Sequence, residues 1–70
     1  MSPNVAACPD LTVEGGGSIY LLRPVSAVGS VWIAMHIPFD AQWLGGAVVV
    51  EHRYIRDIVT GALADGLRVR

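Results

Sequence analysis

Between Glu51 and Asp57 the chain sets a carboxylate, an imidazole, a phenol, two guanidiniums and a second carboxylate within seven positions. Adjacent Glu51 and His52 are the material of general acid–base catalysis, with Tyr54 close by in sequence. Catalysis needs such groups to converge. On a helix, neighbouring positions diverge by about 100°, so Glu51 and His52 would not face each other. Ser18, Ser26 and Ser30 are candidate nucleophiles, and His36, Asp40 and Asp57 complete the inventory from which a triad could be drawn. None lies in a recognisable local motif. A fold of this length also rarely closes a pocket of about 300 Å³, the lower size of ligand sites. The reading is a protein that is not an enzyme.

Other chemistries lack their parts. Cys8 is the single cysteine, so no internal disulfide can form, and with His36 and His52 it does not make a zinc set. No cofactor is expected. The glycines of "EGGGS", Glu14 to Ser18, could cradle a phosphate only between a strand and a following helix. Here they precede a strand and read as a flexible loop. Tyr20 and Trp43 could stack on bases, but no basic residues flank them, so direct nucleic-acid binding is not expected. The formal charge is −1; all five bases are arginine and there is no lysine. The N-terminus lacks a signal-peptide pattern and no apolar run approaches the roughly 20 residues of a membrane span. The expectation is a cytoplasmic protein with a reduced thiol.

The spacing of apolar residues predicts the elements that carry these groups. "SIYLLRP", Ser18 to Pro24, reads as a strand that is apolar on both faces. Ser26 is a candidate N-cap for a helix that must end before Pro38, with Val25, Val28, Trp32 and Met35 as one stripe. Trp32 reads as core. Gly45-Gly46 separates two strand-like runs, Ala41 to Leu44 and Ala47 to Val50, either as a hairpin or as one bulged strand. Tyr54, Ile55, Ile58, Val59, Ala62 and Leu63 mark a clean amphipathic helix that Gly66 would end. "LRVR", Leu67 to Arg70, alternates like a short edge strand. Residues 1–10, with two prolines and no periodicity, read as a loosely held arm. Residues 11–70 then form a single α+β domain. Its order β-α-β-β-α-β predicts a small antiparallel sheet with two helices on one face, the ferredoxin-like or split βαβ arrangement.

That architecture leaves one sheet face open. Hydrophobic residues make up 53% of the chain and charged residues 16%, below the usual share of about 25%. Two strands are apolar on both faces, and helices can cover only one of them. The uncovered set is expected to meet another protein or a second copy of this chain.

The run "AQWLGGAVVVEHRYIRDIVTGALADGLRV", Ala41 to Val69, with "GSIYLLRPVS" before it, resembles a family of small proteins from phages and mobile elements. It is similar to anti-CRISPR proteins directed at type I systems, subtype I-C. The resemblance implies a non-catalytic inhibitor that binds a Cas subunit of the host surveillance complex and blocks its capture of target DNA. Such inhibitors often present acidic patches. The acids available here are Glu14, Asp40, Glu51, Asp57 and Asp65, with Asp10 in the arm. Those five and Trp43, an aromatic near the hairpin tip, are the expected partner-binding residues. Six acids are few for strict DNA mimicry and leave room for apolar contact. The alternative expectation is a homo-oligomeric structural or regulatory phage protein whose open sheet face is the dimer contact.

Overall fold

The computed structural model describes residues 9–38 and 40–70. The chain runs β1 (Leu11–Gly16), β2 (Ile19–Pro24), α1 (Ala27–His36), β3 (Trp43–Leu44), β4 (Ala47–Glu51) and α2 (His52–Ala64). The strands form one antiparallel sheet in the order β1-β2-β4-β3. The class is α+β. The unit β2-α1-β3, with β4 inserted between its two strands, is the split crossover that the sequence predicts.

The place beside β2 is filled differently. A ferredoxin-like chain would put its last strand there; here β1 holds it. The C-terminal segment joins outside β1, through a single parallel bridge from Leu11 to Val69. Its alternation is as expected: Leu67 is buried and Val69 packs on the core, while Arg68 and Arg70 are exposed. The "EGGGS" segment is a hairpin and not a flexible loop. Gly16 pairs with Ile19, and Gly17 takes a φ of 69° at the first position of the two-residue turn, where a side chain would strain the backbone. The second hairpin closes on Gly45 and Gly46, both at positive φ (57° and 80°), as a tight two-residue turn between Leu44 and Ala47 requires.

Register assigns the sheet faces. Leu11, Val13, Tyr20, Leu22, Val48, Val50 and Trp43 share the helix side, because paired residues in an antiparallel ladder point the same way. Leu11, Leu22, Val48 and Val50 join Trp32 and Ile33 of α1, Ala62 of α2, and Leu67 in one buried cluster, with Ile55 and Ile58 packed against it. α2 ends in a Schellman motif: Gly66 at φ 88°, Gly66 N–H to the Leu63 carbonyl, and Leu67 N–H to the Ala62 carbonyl at 3.0 Å. That turn carries Leu67 into the core.

The stripe expected on α1 is corrected. Ser26 does cap the helix, its Oγ accepting from Gly29 N–H at 3.0 Å. The buried residues, however, are Gly29, Trp32 and Ile33, while Val28 and Met35 face outward. The helix is apolar all round, so spacing alone could not select its inner face. Gly29 selects it. A Cβ there would overlap the Asp10 carbonyl oxygen, so only glycine lets that segment lie against α1.

Asp10, expected in a loose arm, is a junction; residues 1–8 of that arm, with Cys8, lie outside the described residues. The Asp10 carbonyl accepts from Val25 N–H at 2.8 Å, and its N–H donates to the Arg68 carbonyl at 2.8 Å. Its carboxylate accepts from Ser26 Oγ at 2.6 Å and from Arg68 N–H at 3.0 Å. The Ser26 bond first, then the Arg68 amide, hold the carboxyl below the ordinary aspartate value against partial desolvation, and the Arg68 charge adds the smallest share. One residue thus ties β1, the start of α1 and the C-terminal segment together.

Candidate protein-interaction surfaces

The residues that opened the sequence reading do not converge. Glu51 ends β4 and its carboxylate turns to Arg53 at 3.8 Å, while the His52 ring lies near Tyr20, centroids 6.4 Å apart. Tyr54 is stacked under the Arg53 guanidinium at 5.0 Å. Among the described residues no three His, Cys, Asp or Glu side chains come together as a metal site would require. No helix among them is long and apolar enough to cross a membrane.

The six expected partner-binding residues are dispersed. Glu14 lies on the open sheet face, 3.7 Å from Arg23. Glu51 and Asp57 line one groove with Tyr54, Ile37 and Pro38, between the end of α1 and α2. Asp40 is exposed in the connection before β3, and Trp43 is half-exposed at the sheet edge, over Pro24 and Ile33. Asp65 sits at the far end of α2 and is engaged internally. It accepts from Trp32 Nε1–H at 2.7 Å, and His36 Nε2 lies 3.6 Å from the same oxygen. His36 completes the cluster by stacking on Trp32 (4.3 Å between centroids) and donating from Nδ1 to the Trp32 carbonyl at 2.9 Å. Only Glu51 and Asp57 share a groove, and three of the five acids have a local partner.

The open sheet face is mixed rather than uniformly apolar. Ile19 (47% exposed) and Leu44 (59%) stand out from it, and Leu21 and Val49 are half-buried. Arg23 projects from the same face of β2, its guanidinium held between Glu14 and the Gly45 carbonyl, to which it donates at 2.6 Å. A fixed cation therefore interrupts the patch.

The surface formed by Val25, Val28 and Met35, which sequence spacing grouped in one stripe with the buried Trp32, together with Val31, is more uniform. Val28 (57% exposed), Val31 (57%) and Met35 (74%) run along the outside of α1, with Val25 (52%) just before its N-cap. The helix contains no Asp, Glu, Lys or Arg, and its only ionisable residue is the terminal His36. Val28, Val31 and Met35, with Leu67 and Asp65 at the margin, line a shallow groove of about 360 Å³. Helices that are apolar all round are ordinarily enclosed on every side. The signal was present in the sequence as the absence of charge from Pro24 to Pro38.

In comparisons with known proteins, the chain matches no family, no curated protein and no solved structure.

Proposed function

We propose that this chain is a non-catalytic inhibitor that docks on a subunit of a type I CRISPR surveillance complex and blocks its binding of target DNA. The observation that carries the binding role is the uncharged, exposed outer face of α1. Burying Val25, Val28, Val31 and Met35 from their present exposure contributes on the order of 1 kcal/mol each, enough to anchor a contact that the rim completes. The choice of target rests on the resemblance of Gly17 to Val69 to anti-CRISPR proteins. Asp57 and Trp43 are the expected residues best placed to extend the contact, being exposed and without an ion-pair partner among the described residues, with Glu51, which is exposed but 3.8 Å from Arg53, beside Asp57 in the same groove.

The test combines size-exclusion chromatography of the chain with a type I complex and a gel shift of that complex on target DNA. Co-elution and loss of DNA capture are expected. Val28→Glu with Val31→Glu should keep the far-UV circular dichroism and abolish both effects. Undisturbed DNA capture by type I complexes, subtype I-C included, refutes the target; inhibition that survives the double substitution refutes the docking face.

The second reading is a homo-oligomer, favoured by Ile19 and Leu44 on the open sheet face. Sedimentation over a dilution series separates the two: a concentration-independent dimer sensitive to Ile19→Glu supports the oligomer, and a monomer supports the inhibitor.

A further inference from the structure

On the helix side of the sheet, between α2 and the C-terminal segment, lies a groove of about 400 Å³ whose floor is Val13, Ile55, Val59, Leu63 and Val69. Arg56 and Arg70 line it, and no carboxylate does. Neither arginine lies within ion-pair distance of an acid among the described residues, and residues 1–8 and 39 contain no Asp or Glu. His52 and Arg53, the latter 3.8 Å from Glu51, adjoin the groove around Tyr20 at one end. A chain of net charge −1 thus sets two of its five arginines, neither paired with an acid among the described residues, on the rim of one aliphatic groove. The backbone at this edge is fixed: Arg70 N–H donates to the Leu11 carbonyl at 3.1 Å and Val13 N–H to the Arg70 carbonyl at 2.8 Å. In that parallel bridge the N–H and C=O of Val69 point away from β1, as the alternation of a strand requires.

We infer that this groove binds an acidic, amphipathic peptide segment of a partner protein. Apolar side chains of the segment occupy the Val59–Leu63–Val69 floor. Its carboxylates meet Arg56 and Arg70, whose planar guanidiniums accept a carboxylate through two parallel hydrogen bonds. The outward Val69 backbone groups offer two further bonds to an extended chain. A phosphodiester backbone fits worse, because the five-residue aliphatic floor gives it nothing to pair with. This surface lies apart from the outer face of α1, so the inference is independent of the inhibitor reading.

The experiment is selection of a random 12-residue displayed peptide library on the full chain, followed by fluorescence anisotropy of the enriched peptide after synthesis. Enriched peptides should combine Asp or Glu with Leu, Phe or Trp and should perturb the amide resonances of Val59, Leu63 and Val69. Arg56→Glu with Arg70→Glu should weaken binding at least tenfold while circular dichroism is unchanged, and Val31→Glu should leave it within twofold. The inference is overturned if no peptide is enriched, if the enriched peptides lack an excess of carboxylates, or if the arginine reversals do not matter. It is also overturned if a twelve-nucleotide oligo-dT displaces the peptide from the same residues, which would make the site one for nucleic acid.

Discussion

Gly29 and Gly61 both lie inside helices, and replacing either with alanine should gain about 1 kcal/mol from helix propensity alone. The structure predicts opposite outcomes. At Gly61 a new Cβ would meet Trp32 Cζ2 at 3.8 Å, an ordinary contact that adds to the core. Gly61→Ala should therefore stabilise by about 0.5–1 kcal/mol. At Gly29 the Cβ would overlap the Asp10 carbonyl oxygen, sit 2.9 Å from its carbon and 3.2 Å from Leu11 Cδ2. Relief requires moving backbone, not the tip of a side chain. Pushing Asp10 outward stretches its bonds to Val25 N–H (2.8 Å) and Ser26 N–H (3.4 Å) and pulls on Arg68. Overpacking costs about 1–3 kcal/mol, and each backbone bond lost adds roughly 1 kcal/mol. After the propensity gain the net loss is about 2–3 kcal/mol, a large share of the roughly 3–5 kcal/mol that a core of this size supplies.

Thermal and urea unfolding of the two variants measure this directly. At about 4–8 °C per kcal/mol for a domain of this length, Gly29→Ala should melt about 10–20 °C below wild type and Gly61→Ala a few degrees above it. A Gly29→Ala protein that melts at or above wild type would show that the Asp10 segment does not lie on α1. The junction described for Asp10 would then be wrong, and the inner face of α1 would be open to reassignment.

Asp10 itself should shape the acid limb of stability. Its carboxyl binds its proton less readily when folded than when unfolded, so its contribution is complete above the ordinary aspartate range and fades as pH falls below about 4. Urea midpoints of wild type and Asp10→Asn should differ most near neutrality and converge in acid; a constant gap would exclude the linkage. Trp32 and Asp65 should be coupled through the 2.7 Å bond between them, which is half open to water. A double-mutant cycle of Trp32→Phe and Asp65→Ala should give a coupling of about 1 kcal/mol, and additive effects would deny the bond a role in stability.

How legible the fold was in the sequence depended on the kind of signal. Signals written in one or two adjacent residues were readable: Ser26 as a cap, Gly45-Gly46 as a turn, Gly66 as a helix end. The amphipathic α2 was readable because its charges lie on one side, and its inward residues, the buried Ala62 and the partly buried Ile55 and Ile58, follow from that. β1 was not, since "LTVEGG" offers three strand-forming residues and then glycines whose turn geometry looks the same as flexibility in sequence. Missing β1 also misplaced the C-terminal strand, because the vacancy beside β2 was assigned to the only remaining candidate.

The inner face of α1 failed for a deeper reason. Periodicity reports a face only when a row of polar residues marks the opposite one, and α1, with Ser30 and His36 as its only polar side chains, has no such row. Its orientation is decided instead by a contact between Gly29 and Asp10, nineteen positions apart in the chain, which no local pattern encodes. The same lack of polar marking makes the helix a candidate docking surface, since water meets valine and methionine where it ordinarily meets charge. Introducing glutamate at Val31 tests whether this apolarity serves folding or binding. Val31 is more than half exposed and points away from the buried cluster, so the fold should lose no more than about 0.5 kcal/mol. A protein that instead unfolds on Val31→Glu would need that face for its own core, and the outer surface of α1 would cease to be available to any partner.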